Sequence, residues 1–367
     1  MIVCSECFQD PEIKSIISKG NNFGQCPICG TDNVAIYDKE KQFELSPLFE
    51  QLISVYTPIE DFPEDIVIKR PRMLPEVIKG DWNIFSEGLS NDSIREILMS
   101  LAPSVVDEFP ALFSSPVDIL EKYDEEYLKE HSILHSANWS DFVNAIKHKN
   151  RFHTSIVDVQ RLREYCMQIS ELLIPGKQRY YRGRIAKDKN GYSPKNMGAP
   201  PADLSPDGRI NSAGISRLYL TDNRKTTFHE IRAAEYDYVT IGTFKLIDSI
   251  RVVDLSRIGK ISPFGEDVDI TVLAINRDHL QRINQEMAHP MRRGDSVLDY
   301  LPTQYIGDFI MSIQDEDGNP VFDGIRYQSA MHSAGSNLTI FYPEKFQCTY
   351  SKTYEVTNLF FNFIQAR

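Results

Sequence analysis

Two short cysteine pairs constrain this chain more than any other feature. Cys4-Ser-Glu-Cys7 and Cys26-Pro-Ile-Cys29 are separated by eighteen residues, and each sits on a turn-forming stretch. A Cys-x-x-Cys turn aims two thiolates, with nearby backbone amides, at one point. Two such turns complete a four-coordinate zinc site. A redox dithiol is the competing reading, but that motif usually comes singly, at the start of a helix in an α/β unit. Here it is doubled within a stretch too short to bury a core, where metal ligation supplies the missing stability. A closed shell of four thiolates leaves no open position for catalysis. The zinc expected at Cys4, Cys7, Cys26 and Cys29 is therefore scaffold. Cys166 and Cys348 stand alone and read as reduced, buried small hydrophobes.

The 367 residues leave room for two or three domains. The expected division is a zinc-knuckle module at 1–40, a helical accessory domain at 41–176 and a catalytic domain at 177–367. No apolar run is long enough to span a bilayer, and MIVCSECFQD lacks the pattern of a signal peptide. A cytoplasmic location without a membrane partner is the expectation. Charge is uneven: residues 1–176 hold 16 basic and 29 acidic side chains, residues 177–367 hold 24 and 23. Glu6, Asp10, Glu12, Asp32 and Asp38 surround the knuckles with the wrong sign for phosphate contacts, which disfavours nucleic acid. The arginine-rich second half suits a small anionic ligand.

From Leu45 to Ile174 the periodicity is mostly helical. Ser46-Pro47 reads as an N-cap and first-turn proline. NDSIREILMSLA places Ile94, Ile97, Leu98 and Leu101 on one stripe, and SIVDVQRLREYCMQISELLI reads as one long helix closed by Pro175-Gly176. Leu74 to Trp82 reads as a loop. These stripes are core rather than cofactor sites, and the helical half is left with covering a cleft, sensing a trigger or forming a homodimer.

Beyond Gly176 the chain turns to short β-prone runs: RYYRGR, RLYL, YVTIGTFKL, IRVVDL, DITVLAI, GIRYQS and SNLTIFY. Helices are expected around Glu230, with Asp222 as N-cap, and around Gln304 to Ile310. The pattern predicts an α+β domain. DEDGNP lacks the glycine and glutamate of a calcium loop and reads as a turn.

Three polar clusters stand out. In Arg179-Tyr-Tyr-Arg182-Gly-Arg184 a strand would point Arg182 and Arg184 the same way, able to grip a pyrophosphate or, more plainly, to charge an edge strand. Asp207-Gly-Arg209-Ile-Asn211 marks a tight loop before Leu218-Tyr219-Leu220 and Glu230. Asp323-Gly-Ile-Arg-Tyr-Gln-Ser329 is a turn into a strand ending on a hydroxyl.

In this order the clusters resemble the RES domain, from near Lys177 to about Tyr342. The N-terminal half resembles the extension of some longer members. The resemblance implies an ADP-ribosyltransferase-like split β-sandwich with NAD+ in a cleft. It also implies a bacterial toxin or phage-defence effector, one that consumes NAD+ by hydrolysis or phosphorolysis, often restrained by an Xre-type antitoxin or another inhibitory protein. Carried over by motif, the catalytic residues are Arg182, Glu230 and Ser329, with Arg184 an alternative to Arg182, and Arg184, Arg209, Asn211 and Tyr219 bind substrate. Two departures are visible: Gly183 and Ile210 stand where family members carry aromatics. ADP-ribosyl transfer to a macromolecule uses the same glutamate and is the second reading. An inactive, zinc-stabilised interaction protein is the third.

Overall fold

The computed structural model describes residues 1–289, 296–332 and 334–359. Its contacts gather into two units, Met1–Ser136 with Gly259–Leu280, and Ala137–Ile258 with Gln281–Arg367.

The first unit opens on a three-stranded sheet, β1 (Ile2–Cys4), β2 (Phe23–Gly24) and β3 (Val34–Asp38), in the order β1-β3-β2. Asp10 caps the Pro11–Lys19 helix by accepting from the amides of Glu12 and Ile13, and Ile13 and Ile17 turn inward. Helices follow, with one small ladder of β4 (Thr57–Pro58) on β5 (Val117–Asp118). The Asn91–Leu101 helix buries the Ile94, Ile97, Leu98 and Leu101 stripe that its spacing predicts. Asn276, in the returning segment, accepts from Ile133 N at 2.6 Å and donates to His131 O at 2.8 Å, pinning that turn.

Several local expectations are corrected. Leu74–Asp81 is a helix: Pro75 takes a first-turn position, Glu76 accepts from the Met73 amide, and Leu74, Val77 and Ile78 are buried. Ser46 and Pro47 lie inside the Leu45–Ser54 helix, so Ser46 is no cap. The long helix ends early, at Gln168, because Ser170–Leu173 pairs with a strand 83 positions downstream (Ser170 against Val253) in a contact no local pattern reports. DITVLAI is not a strand but the start of the Ile270–Ala288 helix. Asp269 accepts from Val272 N, and buried Leu273, Leu280, Ile283 and Met287 keep helical spacing, which overrides the local β-branched preference.

The second unit is built on an eight-stranded sheet. Its strands are β6 (Ser170–Leu173), β7 (Tyr180–Ala186), β8 (Leu218–Thr221), β9 (Tyr238–Leu246), β10 (Ile250–Asp254), β11 (Gly324–Gln328), β12 (Ser336–Ile340) and β13 (Phe346–Glu355), in the order β13-β9-β7-β8-β12-β11-β10-β6. The fold class is α+β. The sheet divides into two blocks, since β7 and β8 meet through the single pair Tyr181–Thr221, while β7–β9 and β8–β12 pair over several residues. Strand β13 escaped the sequence reading because it is polar and exposed along much of its length, as an edge strand must be.

Alternation sorts β8 and β12 into two faces. Leu218, Leu220, Leu338 and Ile340 enter the core cluster, so Tyr219, Thr221, Asn337 and Thr339 project from the opposite face. That second face, at the seam between the blocks, carries the site.

Candidate active site at the sheet seam

Glu230 is the last residue of the Arg224–Glu230 helix, which Asn223 rather than Asp222 caps, by accepting from Lys225 N. Asp222 instead accepts from the amide and hydroxyl of Ser336, tying the helix entry to β12. The chain leaves the helix through Arg232 in a left-handed conformation (φ 51°). Glu235 therefore lies off the helix, where its Oε1 accepts from Leu359 N.

Close packing fixes Glu230 against the sheet. A Cβ on Gly183 would come within 2.8 Å of Thr227 Cγ2 and 3.0 Å of Ile231 Cδ1. Glycine at this point of β7 lets the helix approach, and an aromatic could not replace it without moving the helix. The carboxylate is held from the other side. Ser329 Oγ donates to Glu230 Oε1 at 2.6 Å and Asn337 Nδ2 donates to the same oxygen at 2.8 Å. Ser329 is itself fixed, buried and accepting from the amides of Met331 and His332. Both of these bonds to Glu230 fall on Oε1, which leaves Oε2 facing the cavities.

Two cavities share Glu230. One, about 240 Å³, is lined by Tyr181, Arg182, Gly183, Thr221, Thr227 and Ile231 among others. The second, about 270 Å³, includes Arg209, Arg232, Met287, Tyr300 and Met331. Tyr219, Tyr327 and Asn337 border both. Burial holds the Tyr219 phenol above its ordinary range, with Tyr327 adding to it, and burial pushes Tyr327 up to about 12. Both phenols stay protonated at neutral pH and act as rings and hydrogen-bond donors. Burial, helped by Arg184, lowers Arg182 to about 10, which leaves it a cation at neutral pH.

Each residue anticipated from sequence has a definite place. Arg182, Arg209, Tyr219 and Glu230 line the cavities. Ser329 lines neither and acts on Glu230. Arg184 points the same way as Arg182 but stacks 4.3 Å over the Tyr192 ring and donates to Asn196 O, and it borders neither cavity. Asn211 is buried: it donates to Pro206 O and Ser212 O and accepts from Tyr219 Oη at 2.6 Å. A Cβ on Gly208 would strike Asn211 Oδ1 at 2.4 Å, so the Gly-Arg-Ile-Asn loop is a clamp on Tyr219. Gln304 closes it by donating to Gly208 O and Asn211 O. Ile210 is fully buried against Gly307 and lines neither cavity, so the missing ring costs the cleft no wall. The sequence reading passed over Tyr327, Asn337 and Arg232. Alternation from Tyr219 across the β8–β12–β11 ladder finds the first two, because Asn337 pairs with both Thr221 and Tyr327.

The four cysteines form the second polar cluster. Their sulfurs lie within 4.8 Å of one another, with Cys4–Cys7 at 3.7 Å, Cys4–Cys29 at 3.5 Å and Cys7–Cys26 at 3.7 Å. A tetrahedron with zinc–sulfur bonds of about 2.3 Å has sulfur–sulfur edges of about 3.8 Å, so the donor set fits a four-thiolate ion.

The RES domain family model matches residues 182–358. No curated protein and no solved structure gives a significant match.

Proposed function

From a chain whose residues 182–358 match the RES domain, a family consistent with an NAD+-related toxin or effector, we propose that the second unit cleaves the nicotinamide–ribose bond of NAD+. The observation that carries the proposal is the Glu230 carboxylate, fixed through one oxygen by Ser329 and Asn337 at the junction of two cavities.

The bond from the ribose anomeric carbon to the pyridinium nitrogen breaks, and its electron pair neutralises nicotinamide. The positive charge that develops on the ribose lies beside Glu230, whose Oε2 accepts from a ribose hydroxyl and stabilises the oxocarbenium-like transition state. Water then attacks the anomeric carbon and releases a proton, giving ADP-ribose; inorganic phosphate in its place gives ADP-ribose-1″-phosphate. The Tyr219 and Tyr327 rings offer flat walls for the pyridine. Arg209 and Arg232 flank the second cavity and neutralise the pyrophosphate, with Arg182 contributing charge from the first. Ser329 positions the carboxylate rather than touching substrate.

We assign structural zinc to Cys4, Cys7, Cys26 and Cys29. The zinc module and the helices of 41–176 are proposed as accessory to a catalytic domain at 177–367.

Purified protein incubated with NAD+, followed for nicotinamide, ADP-ribose and label on protein, tests the reading. Glu230→Gln should lower nicotinamide release by about a hundredfold or more. Label accumulating on protein without free ADP-ribose would shift the assignment to ADP-ribosyl transfer, and no nicotinamide release at all would overturn it.

A further inference from the structure

A third cavity, about 280 Å³, adjoins the second Glu230 cavity and shares Arg209 and Tyr300 with it. Resting on the NAD+ reading, we infer that it is the subsite for the adenosine ribose, and that Asp299 there selects NAD+ over NADP+.

The bond to be broken lies at Glu230, and this third cavity does not include Glu230. Whatever fills it is a remote part of the ligand. Nicotinamide, the smaller product, suits the Tyr181–Thr227 cavity, so ADP-ribose spans the other two, its pyrophosphate near Arg209 and its adenosine beyond.

Asp299 is a built feature of that end. Its Oδ1 accepts from Lys147 Nζ, and its Oδ2 accepts from Ser296 N at 3.0 Å. The hydrogen bond from Lys147 is the main reason the carboxyl sits below its ordinary range, so it is an anion at neutral pH. Its side chain is still 39% exposed, which leaves lone pairs for a ligand. A fixed carboxylate accepts from the hydroxyls of a ribose diol and repels a 2′-phosphate. Lys147, on the Trp139–His148 helix, lies outside residues 182–358. The subsite is thus completed by a part of this chain that the family match does not cover.

Titration calorimetry of ADP-ribose and of its 2′-phosphorylated form tests this on wild type, Asp299→Asn and Lys147→Met, with melting temperatures recorded. Wild type should bind ADP-ribose tighter by about tenfold or more, the scale of one charge-assisted contact. Asp299→Asn should narrow that preference. Lys147→Met, which removes the only attraction this pair offers a phosphate, should widen it. Equal binding of the two ligands by wild type, or a preference shifted the same way by both variants, overturns the subsite. NAD+ cleavage on the same samples separates the two proposals. Cleavage without discrimination defeats the subsite alone, whereas discrimination without cleavage defeats the catalytic reading and leaves the subsite standing.

Discussion

The cysteine cluster and the Glu230 site are each four or five polar side chains, but they are assembled over different lengths of chain. Cys4 and Cys29 are 25 positions apart, whereas Glu230 reaches its partners Ser329 and Asn337 across 99 and 107 positions. The cysteines converge because two turns aim them, and a metal would supply the binding energy. The residues around Glu230 converge because a sheet places them: Tyr219, Asn337 and Tyr327 come from neighbouring strands in register, and a helix is pressed onto β7 at a glycine. A cluster of the first kind can be lost with its metal. The second kind fails in graded steps, as contacts are removed one at a time.

The largest effect expected from this contrast is in the first cluster. Cys26→Ser should release the metal and, with it, binding free energy of about 10 kcal/mol, enough to unfold the zinc module. Metal analysis with hydrogen exchange checks this; β8 and β12 should keep their protection while β1 to β3 lose theirs. Retained metal or retained β1–β3 protection would place the stability of that module elsewhere.

Next in size is Gly183→Val. The larger side chain must push the Arg224–Glu230 helix off β7, at a cost of about 2 kcal/mol of overpacking. The melting temperature should fall and NAD+ cleavage should fall with it, because Glu230 rides on that helix. Full activity in a destabilised variant would separate the helix position from catalysis.

Smaller still are the two donors to Glu230. Ser329→Ala and Asn337→Ala should each cost about 1.5 kcal/mol in kcat/KM, the low end for a hydrogen bond to a charged group. Because both act on Oε1, the double variant should lose more than the sum, read from a double-mutant cycle. Strict additivity would mean that the two do not act through one carboxylate.

Tyr219→Phe should be mildest. It keeps the ring that lines both cavities and removes the hydroxyl's bonds to Asn211 and from the Ile210 amide, about 1 kcal/mol each, so thermal stability should drop with KM little changed. A rise in KM as large as that of Arg209→Ala would show the hydroxyl in contact with substrate.

The same contrast explains what could be read from the sequence. Two Cys-x-x-Cys pairs announce a metal site with no knowledge of the fold, since their spacing is the geometry. Glu230 could be singled out by motif register but not by helix periodicity, because the helix stops at Glu230 and Glu235 lies beyond it. Asn337 and Tyr327 were recoverable in principle from alternation, but only once the β8–β12–β11 pairing was known, and pairing over a hundred residues leaves no local trace. Ser170–Leu173 and Ile270–Ala288 defeat a local reading for related reasons. The first is a strand by virtue of a distant partner, and the second is a helix whose first turn alone looks like a strand.

The central claim is that one carboxylate, Glu230, at the seam of the sheet does the chemistry. Nicotinamide release from NAD+ by Glu230→Gln and Glu235→Gln, measured beside wild type and with melting temperatures matched, tests it most directly. Glu230→Gln should lose about a hundredfold or more, and Glu235→Gln should release nicotinamide at near the wild-type rate. Intact release from Glu230→Gln, with abolition in Glu235→Gln, would contradict it.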